Sequence, residues 1–172
     1  MPLTMSAGLY NAEGSFNYFV KTFISANGWP SGPISASAYF DWPTQNLTFP
    51  CVTVVHLGGR REDVAQGRII DGANRTSAYR QRRMTEVSCW VDSQRNVNWV
   101  RDLRQLRDTV ELMFNQNFAV QLYDIYSGTA NPPTAGLLRI KGVSEAPAAL
   151  DENPAIKRIR MLVNWEYLEK FP

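Results

Sequence analysis

Histidine and cysteine are almost absent from this chain of 172 residues, which contains one histidine and two cysteines. His56 is therefore the only imidazole that could act as a base for a serine or cysteine nucleophile, and no partner motif surrounds it. Cys51 and Cys89 stand alone in apolar, alternating segments, where we expect buried free thiols. Two separate cysteines and one histidine lack the spacing of a zinc site. We therefore expect no enzyme activity, no metal and no cofactor.

Long apolar runs and a strong excess of either charge are also missing. No window approaches the roughly 18 consecutive apolar residues of a membrane-spanning helix, and residues 1–10 lack the basic and apolar regions of a secretory signal. The formal net charge is +2, whereas a dedicated duplex-binding domain carries a clear basic excess. These absences predict a protein with no membrane partner and no dedicated duplex-binding surface.

Charged side chains are scarce in the first fifty positions, where Glu13, Lys21 and Asp41 are the only acidic, lysine or arginine residues. A segment with so little charge should dock on its own domain or on a neighbouring subunit. Apolar residues at helical spacing predict a helix over residues 13–26 within it. The prolines and aromatics of residues 29–50 predict an irregular connection. We interpret 1–172 as one domain, with this segment preceding a sheet-and-helix core over 51–172.

The core region combines one strongly amphipathic helix with several alternating segments. An apolar stripe predicts the helix over residues 97–115, and we expect Asp92 and Ser93 to supply its capping chemistry. Two-residue alternation predicts five strands: 51–57, closed by Gly58-Gly59, then 82–91, 118–126, 137–143 and 156–168. The order indicates an α+β fold, in which a mostly antiparallel, mixed sheet has the long helix packed on one face.

Residues 58–79 show little periodicity and contain several arginines and glycines. We interpret them as a long hairpin or loop that orders against a partner, since ordered loops of this length are uncommon and usually functional. Two further basic clusters are Arg80, Arg82 and Arg83 on the approach to one predicted strand, and Lys157, Arg158 and Arg160 within the last strand. Ion pairs between subunits and solvated strand faces account for such clusters, and contact with a nucleic-acid backbone is the alternative. The candidate partner-contacting residues are Arg60, Arg61, Arg68, Arg75, Arg80, Arg82, Arg158 and Arg160.

This layout resembles the tail terminator and tail-completion proteins of long-tailed phages, including the lambda-type terminator. The resemblance lies in an N-terminal helix, an aromatic and proline-rich passage, and a first strand, Cys51-Val52-Thr53-Val54-Val55, after Phe49-Pro50. An arginine-bearing segment then leads to a strand ending in Val87-Ser88-Cys89-Trp90-Val91. The helix with Trp99, Leu103 and Leu106 follows, and a closing strand runs over residues 156–165.

The resemblance implies a structural protein of the virion, assembled in the host cytoplasm and located at the head–tail junction. Its subunits, typically six, would form a ring on the last ring of the tail tube and end its polymerisation. The ring would also present a surface to the head connector, and genomic DNA would pass through it without sequence-specific contact. A head-completion or adaptor protein is the alternative within this class, and a nucleic-acid-binding module is the alternative outside it.

Overall fold

A computed structural model describes residues 9–27, 37–40, 47–63, 69–71, 74–123, 134–147 and 153–171. Two helices of similar length are present, α1 (Leu9–Asn27) and α2 (Trp99–Gln116). The strands are β1 (Ser37–Phe40), β2 (Cys51–Asp63), β3 (Ile69–Asp71), β4 (Asn74–Asp92), β5 (Ala119–Tyr123), β6 (Thr134–Glu145) and β7 (Ile156–Phe171).

Six of these strands form one mixed sheet in the order β1-β2-β4-β7-β6-β5, and β3 pairs with β4 beside that path. The β1–β2 pair is parallel and all other pairs are antiparallel. The long central strands β4 and β7 pair from Ser77↔Phe171 to Asp92↔Ile156. At roughly 3.3 Å per residue β4 is about twice as long as either helix, so neither helix can cover the full length of the sheet.

Both helices pack on one face of the sheet and build a single apolar core there. Alternate strand residues point into this core because side chains change faces at every step along a strand. From α1 the core takes Phe16 and Val20, and from α2 it takes Leu106 and Phe114. We call this side the helix face. We call the opposite side the open face, since no helix in the described part of the chain packs on it.

The predicted α+β class, with a mixed and mostly antiparallel sheet, is confirmed. Both helices lie where the apolar periodicity placed them, with ends shifted by one to four residues. Asp92 caps a turn and not α2, because its Oδ1 accepts hydrogen bonds from the backbone nitrogens of Gln94 (2.9 Å) and Arg95 (3.2 Å). Asn98 occupies the N-cap position of α2 without a side-chain cap bond.

The predicted end of the first strand at Gly58-Gly59 is wrong. β2 continues to Asp63, and its pairing with β4 extends to Asp63↔Tyr79. Gly58 has a φ of 120°, and the register shifts between His56 and Gly58. The glycine therefore forms a β-bulge, which bends a strand without ending it. Residues 58–63 and 74–79 are strand and not loop, whereas 64–68 and 72–73 lie outside the described residues.

A short strand inside the proline-rich connection was missed. Residues 37–40 form β1, which pairs in parallel with the start of β2. Four residues are too few for alternation to stand out among prolines and aromatics. Phe40 of this strand packs against the core as a partly buried side chain. Residues 41–46 of the same connection lie outside the described residues, as do residues 124–126 of the predicted third strand.

Truncating the apolar stripe of α2 should destabilise the domain. Leu103 and Leu106 are 6% and 1% exposed, so we expect Leu103→Ala or Leu106→Ala to lower the free energy of unfolding by about 2–5 kcal/mol. Leu112 lies on the same helix and is 51% exposed. Leu112→Ala is therefore the control, with an expected loss below about 0.5 kcal/mol. Chemical denaturation of the three variants measures the difference, and equal small losses would contradict the burial of the stripe.

Candidate functional site

A cluster of charged side chains lies on the open face where β2, β4, β7 and β6 run side by side. Cross-strand register brings them together, since Arg60 lies opposite Arg82, Arg82 opposite Glu166, and Glu166 opposite Arg139. Residues directly opposite each other on one face of a sheet have their Cβ atoms about 5 Å apart. We call this surface the basic sheet face. Its charged members are Arg60, Arg80, Arg82, Arg139, Lys141, Glu62 and Glu166.

Two carboxylates link these cations into a network. Glu166 lies 3.9 Å from Arg80, 3.8 Å from Arg82 and 3.5 Å from Lys141. Glu62 lies 3.2 Å from Arg82 and 3.8 Å from Arg60. Four cations thus pair with two carboxylates, and Arg139 lies opposite Glu166 as a fifth cation, so the basic sheet face carries three positive charges in excess. The arginine side chains are well exposed, 54% for Arg82 and 82% for Arg60, so each pair adds only about 0–1 kcal/mol to stability.

A second β-bulge directs Lys141 into this network. The register between β6 and β7 shifts between Ile140 and Gly142, which makes Lys141 the extra residue. Bulges commonly re-aim a side chain in this way, and here the Nζ of Lys141 approaches Glu166. The bulges in β2 and β6 lie beside the same row of paired residues across the sheet. This row consists of Gly58 on β2, Met84 on β4, Asn164 on β7 and Gly142 on β6. A cavity of about 460 Å³ lies at this row, with Met84 and Trp165 among its lining residues.

The other end of the open face carries a compact polar cluster. Glu86 is 6% exposed and accepts hydrogen bonds from the guanidinium of Arg160 and, at 2.8 Å, from the hydroxyl of Ser88. Beside it, the guanidinium of Arg158 lies 5.0 Å from the ring centroid of Trp90. The indole of Trp90 in turn donates to Thr53 Oγ1 at 2.8 Å. These arginines are therefore held in place, and the cluster stabilises the sheet.

The Glu86–Arg160 pair should make stability depend on pH. Burial raises the pKa of Glu86, but hydrogen bonds from Arg160 and Ser88 outweigh it and leave the pKa below its usual 4.5. A carboxyl group whose pKa is lower in the folded than in the unfolded protein stabilises the fold at pH values above its unfolded pKa. That stabilisation is lost as the pH falls through the folded pKa. We expect Glu86→Gln to cost about 1–3 kcal/mol at pH 7. Denaturation from pH 7 to pH 2 should show the two proteins converging in acid, and a constant difference would contradict this.

His56 joins the helix face through a chain of hydrogen bonds. Its Nε2 lies 3.0 Å from Asn17 Oδ1 on α1, and its Nδ1 lies 2.8 Å from Thr85 Oγ1 on β4. Trp165 Nε1 donates to the same Thr85 oxygen at 2.8 Å. Asn17 Oδ1 only accepts, and in the tautomer that matches it His56 donates from Nε2 while its Nδ1 accepts from the Thr85 hydroxyl. The imidazole thereby connects α1 to β4 and β7, a structural role.

Both cysteines are buried and free, as their apolar contexts predicted. Burial raises the pKa of Cys51 to about 12 and that of Cys89 further above its usual value. The reactive thiolate is therefore scarce at neutral pH. We expect a thiol reagent at pH 8 to label neither residue in the folded protein and both in denaturant. Labelling of the native protein at the rate of a free cysteine would contradict this burial.

The structure divides the predicted partner-contacting arginines into groups. Arg60, Arg80 and Arg82 come together on the basic sheet face, whereas Arg158 and Arg160 belong to the polar cluster around Glu86. Arg61 is exposed, and strand alternation places it on the helix-face side of β2. Arg75 lies in β4, opposite Ile70, and its side chain lies outside the described residues, as does Arg68.

Sequence reasoning missed Arg139, Lys141 and the two bridging carboxylates as members of one surface. Strand alternation places Glu166 on the same face of the last strand as Arg160, but the neighbours of Glu166 on β4 and β6 depend on register. Glu62 lay in a segment interpreted as loop or hairpin, where its partners could not be identified.

The chain matches no family model, and no curated protein is similar to it in sequence. Among the residues that the structure describes, no three histidine, cysteine or acidic side chains are grouped to hold a metal ion. Neither of the two described helices is long and apolar enough to cross a membrane.

Proposed function

We propose that the protein is a structural subunit of a phage tail, which forms a ring on the last ring of the tail tube and ends its polymerisation. The observation that carries the proposal is the basic sheet face, an exposed, charged strand surface on the side of the sheet opposite both helices. A subunit of a ring needs two different surfaces that contact its neighbours on either side. The helix layer and the open face supply two such surfaces pointing in opposite directions.

The side chains of the basic sheet face suit a contact surface. Arg82 and Arg60 make only weak pairs with Glu62, because water screens exposed charges. A partner carboxylate could therefore replace those pairs at little cost. Arginine suits such contacts because its planar guanidinium binds a carboxylate through two hydrogen bonds. The layout of strands and helices, which resembles that of tail terminators, supports the same proposal.

The test begins with the mass of the purified protein in solution and its appearance by electron microscopy. We expect closed rings at moderate salt. The protein should then shorten the tubes formed when its cognate tail tube protein polymerises, and it should be found at tube ends. A ring that leaves tube length unchanged would point to the head-completion role, and a protein monomeric at all concentrations would contradict a ring.

The excess of three positive charges on the basic sheet face favours one second candidate, binding of a nucleic-acid backbone. The logarithm of the binding constant then falls linearly with the logarithm of the salt concentration, with a slope of about one for each phosphate contacted. A steep slope together with a monomeric protein would favour this second candidate over the ring.

A further inference from the structure

We propose that the basic sheet face binds an acidic surface of a second copy of this chain, in a head-to-tail contact. The inference rests on the proposed ring function and names the two surfaces that would form the ring interface. The acidic surface lies on α2 and the end of β6. It consists of the carboxylates Asp108, Glu111 and Glu145 around Arg107.

The acidic surface carries the opposite charge excess. Arg107 lies 2.8 Å from Asp108 and 3.6 Å from both Glu111 and Glu145. Three carboxylates thus share one cation, which leaves two negative charges in excess. The carboxylate side chains are 64%, 45% and 59% exposed, so they are accessible to a neighbour. Arg104 precedes Asp108 by one helical turn, so a positive charge lies beside that carboxylate. Glu111 and Glu145 are therefore the carboxylates that define this surface best.

The two surfaces cannot meet within one molecule. Glu145 lies opposite Met161, whose side chain is in the core, and so belongs to the helix face. Arg139 lies opposite Glu166 on the open face. The surfaces therefore point in opposite directions, and they are offset by roughly 17 Å along β7. Contact between one copy's basic sheet face and the next copy's acidic surface uses two different patches, and repeated contacts of that kind form a closed ring or a filament.

Shape supports the same pairing. The bulge row leaves a cavity of about 460 Å³ beside Arg60, Arg82 and Lys141, and Met84 contributes apolar area to its lining. A helix is convex, so the exposed side of α2 could enter this concave region while its carboxylates meet the surrounding cations. Complementary charges of this kind fix the register of an interface and reject wrong partners.

Two charge-reversed proteins test the contact. The basic-reversed protein carries Arg60→Glu and Lys141→Glu, and the acidic-reversed protein carries Glu111→Lys and Glu145→Lys. All four side chains are surface-exposed, and circular dichroism and thermal unfolding check that each variant folds. As a matched control, Lys21→Glu with Arg95→Glu changes the net charge by as much as the basic-reversed pair, at exposed positions outside both surfaces.

Each reversed protein alone should associate on the order of tenfold or more weakly than the unmodified chain, because like charges then face each other. The control should associate as the unmodified chain does. An equimolar mixture of the two reversed proteins should recover assemblies in which they alternate, with an even number of subunits. Recovery requires both surfaces at once, which a general loss of stability would not produce.

Three outcomes overturn the inference. Reversed proteins that assemble like the unmodified chain would show that the ring uses other surfaces, while the proposed function would stand if those rings still capped tail tubes. A mixture that remains dissociated, with both components folded, would exclude this pairing. Loss of duplex DNA binding in the basic-reversed protein with unchanged self-association would assign the basic sheet face to a nucleic-acid backbone instead.

Discussion

Phe16→Ala should lower the free energy of unfolding by about 3–5 kcal/mol, the range for a fully buried phenylalanine. Phe16 is 0% exposed, and its ring stacks on Phe114 of α2 and Trp165 of β7 at centroid distances of 5.6 and 5.4 Å. It also meets the edge of His56 at 5.8 Å. Its removal would leave a cavity between α1, α2 and the sheet, and aromatic pairing would be lost with the buried area.

The matched control for Phe16 is Phe118→Ala, because Phe118 is 67% exposed. The same truncation there should cost less than about 0.5 kcal/mol. Chemical denaturation of both variants gives the two free energies. If Phe16→Ala were as mild as Phe118→Ala, α1 would not be an integral part of the folded domain. The charge-poor first fifty residues would then have to find their contacts on another subunit.

Thr85→Val should cost about 2–4 kcal/mol, although valine has nearly the same shape as threonine. The substitution removes the acceptor of the buried indole nitrogen of Trp165, and it also removes the hydroxyl partner of Nδ1 in the half-buried His56. Each unsatisfied buried group costs about 1–3 kcal/mol. No cavity is created, so the loss measures the hydrogen-bond chain and not packing.

Thr53→Val provides the control at a similar bond. Thr53 Oγ1 also accepts from an indole, that of Trp90, at the same 2.8 Å. Trp90 is half-buried, so water can replace the lost acceptor and the expected cost is about 0.5–1 kcal/mol. Equal effects of the two substitutions, measured by denaturation, would show that the His56 chain adds nothing beyond an ordinary hydrogen bond.

The helices and the last strand could be predicted because their signal is local. The stripe of α2, including Leu106 and Met113, repeats at helical spacing, and Met161, Val163 and Trp165 alternate without interruption. The structure confirms the burial of all five. Periodicity over ten or more residues records which face of an element meets the core, and tertiary packing at these positions agrees with it.

The candidate site could not be predicted in the same way, because long-range register determines it. Arg82, Glu166 and Arg139 lie far apart in the chain, and only the pairing of β4, β7 and β6 makes them neighbours. His56 likewise finds its partners 29 and 39 residues away. Strand alternation predicts a face for each residue, but it does not predict the residue beside it on the next strand.

The two bulges also have a consequence for mutation by deletion. In β2, Val52, Val54 and His56 point to the helix face, and beyond Leu57 the assignment is inverted, since Arg60 and Glu62 point to the open face. Losing the single codon of Leu57 would therefore restore a regular ladder and leave Arg60 and Glu62 on the open face, opposite the same partners on β4. The codon of Lys141 has the same property in β6. At these two positions a gene can lose one codon while the later residues of the strand keep their faces, whereas a loss elsewhere in β2 or β6 would exchange them.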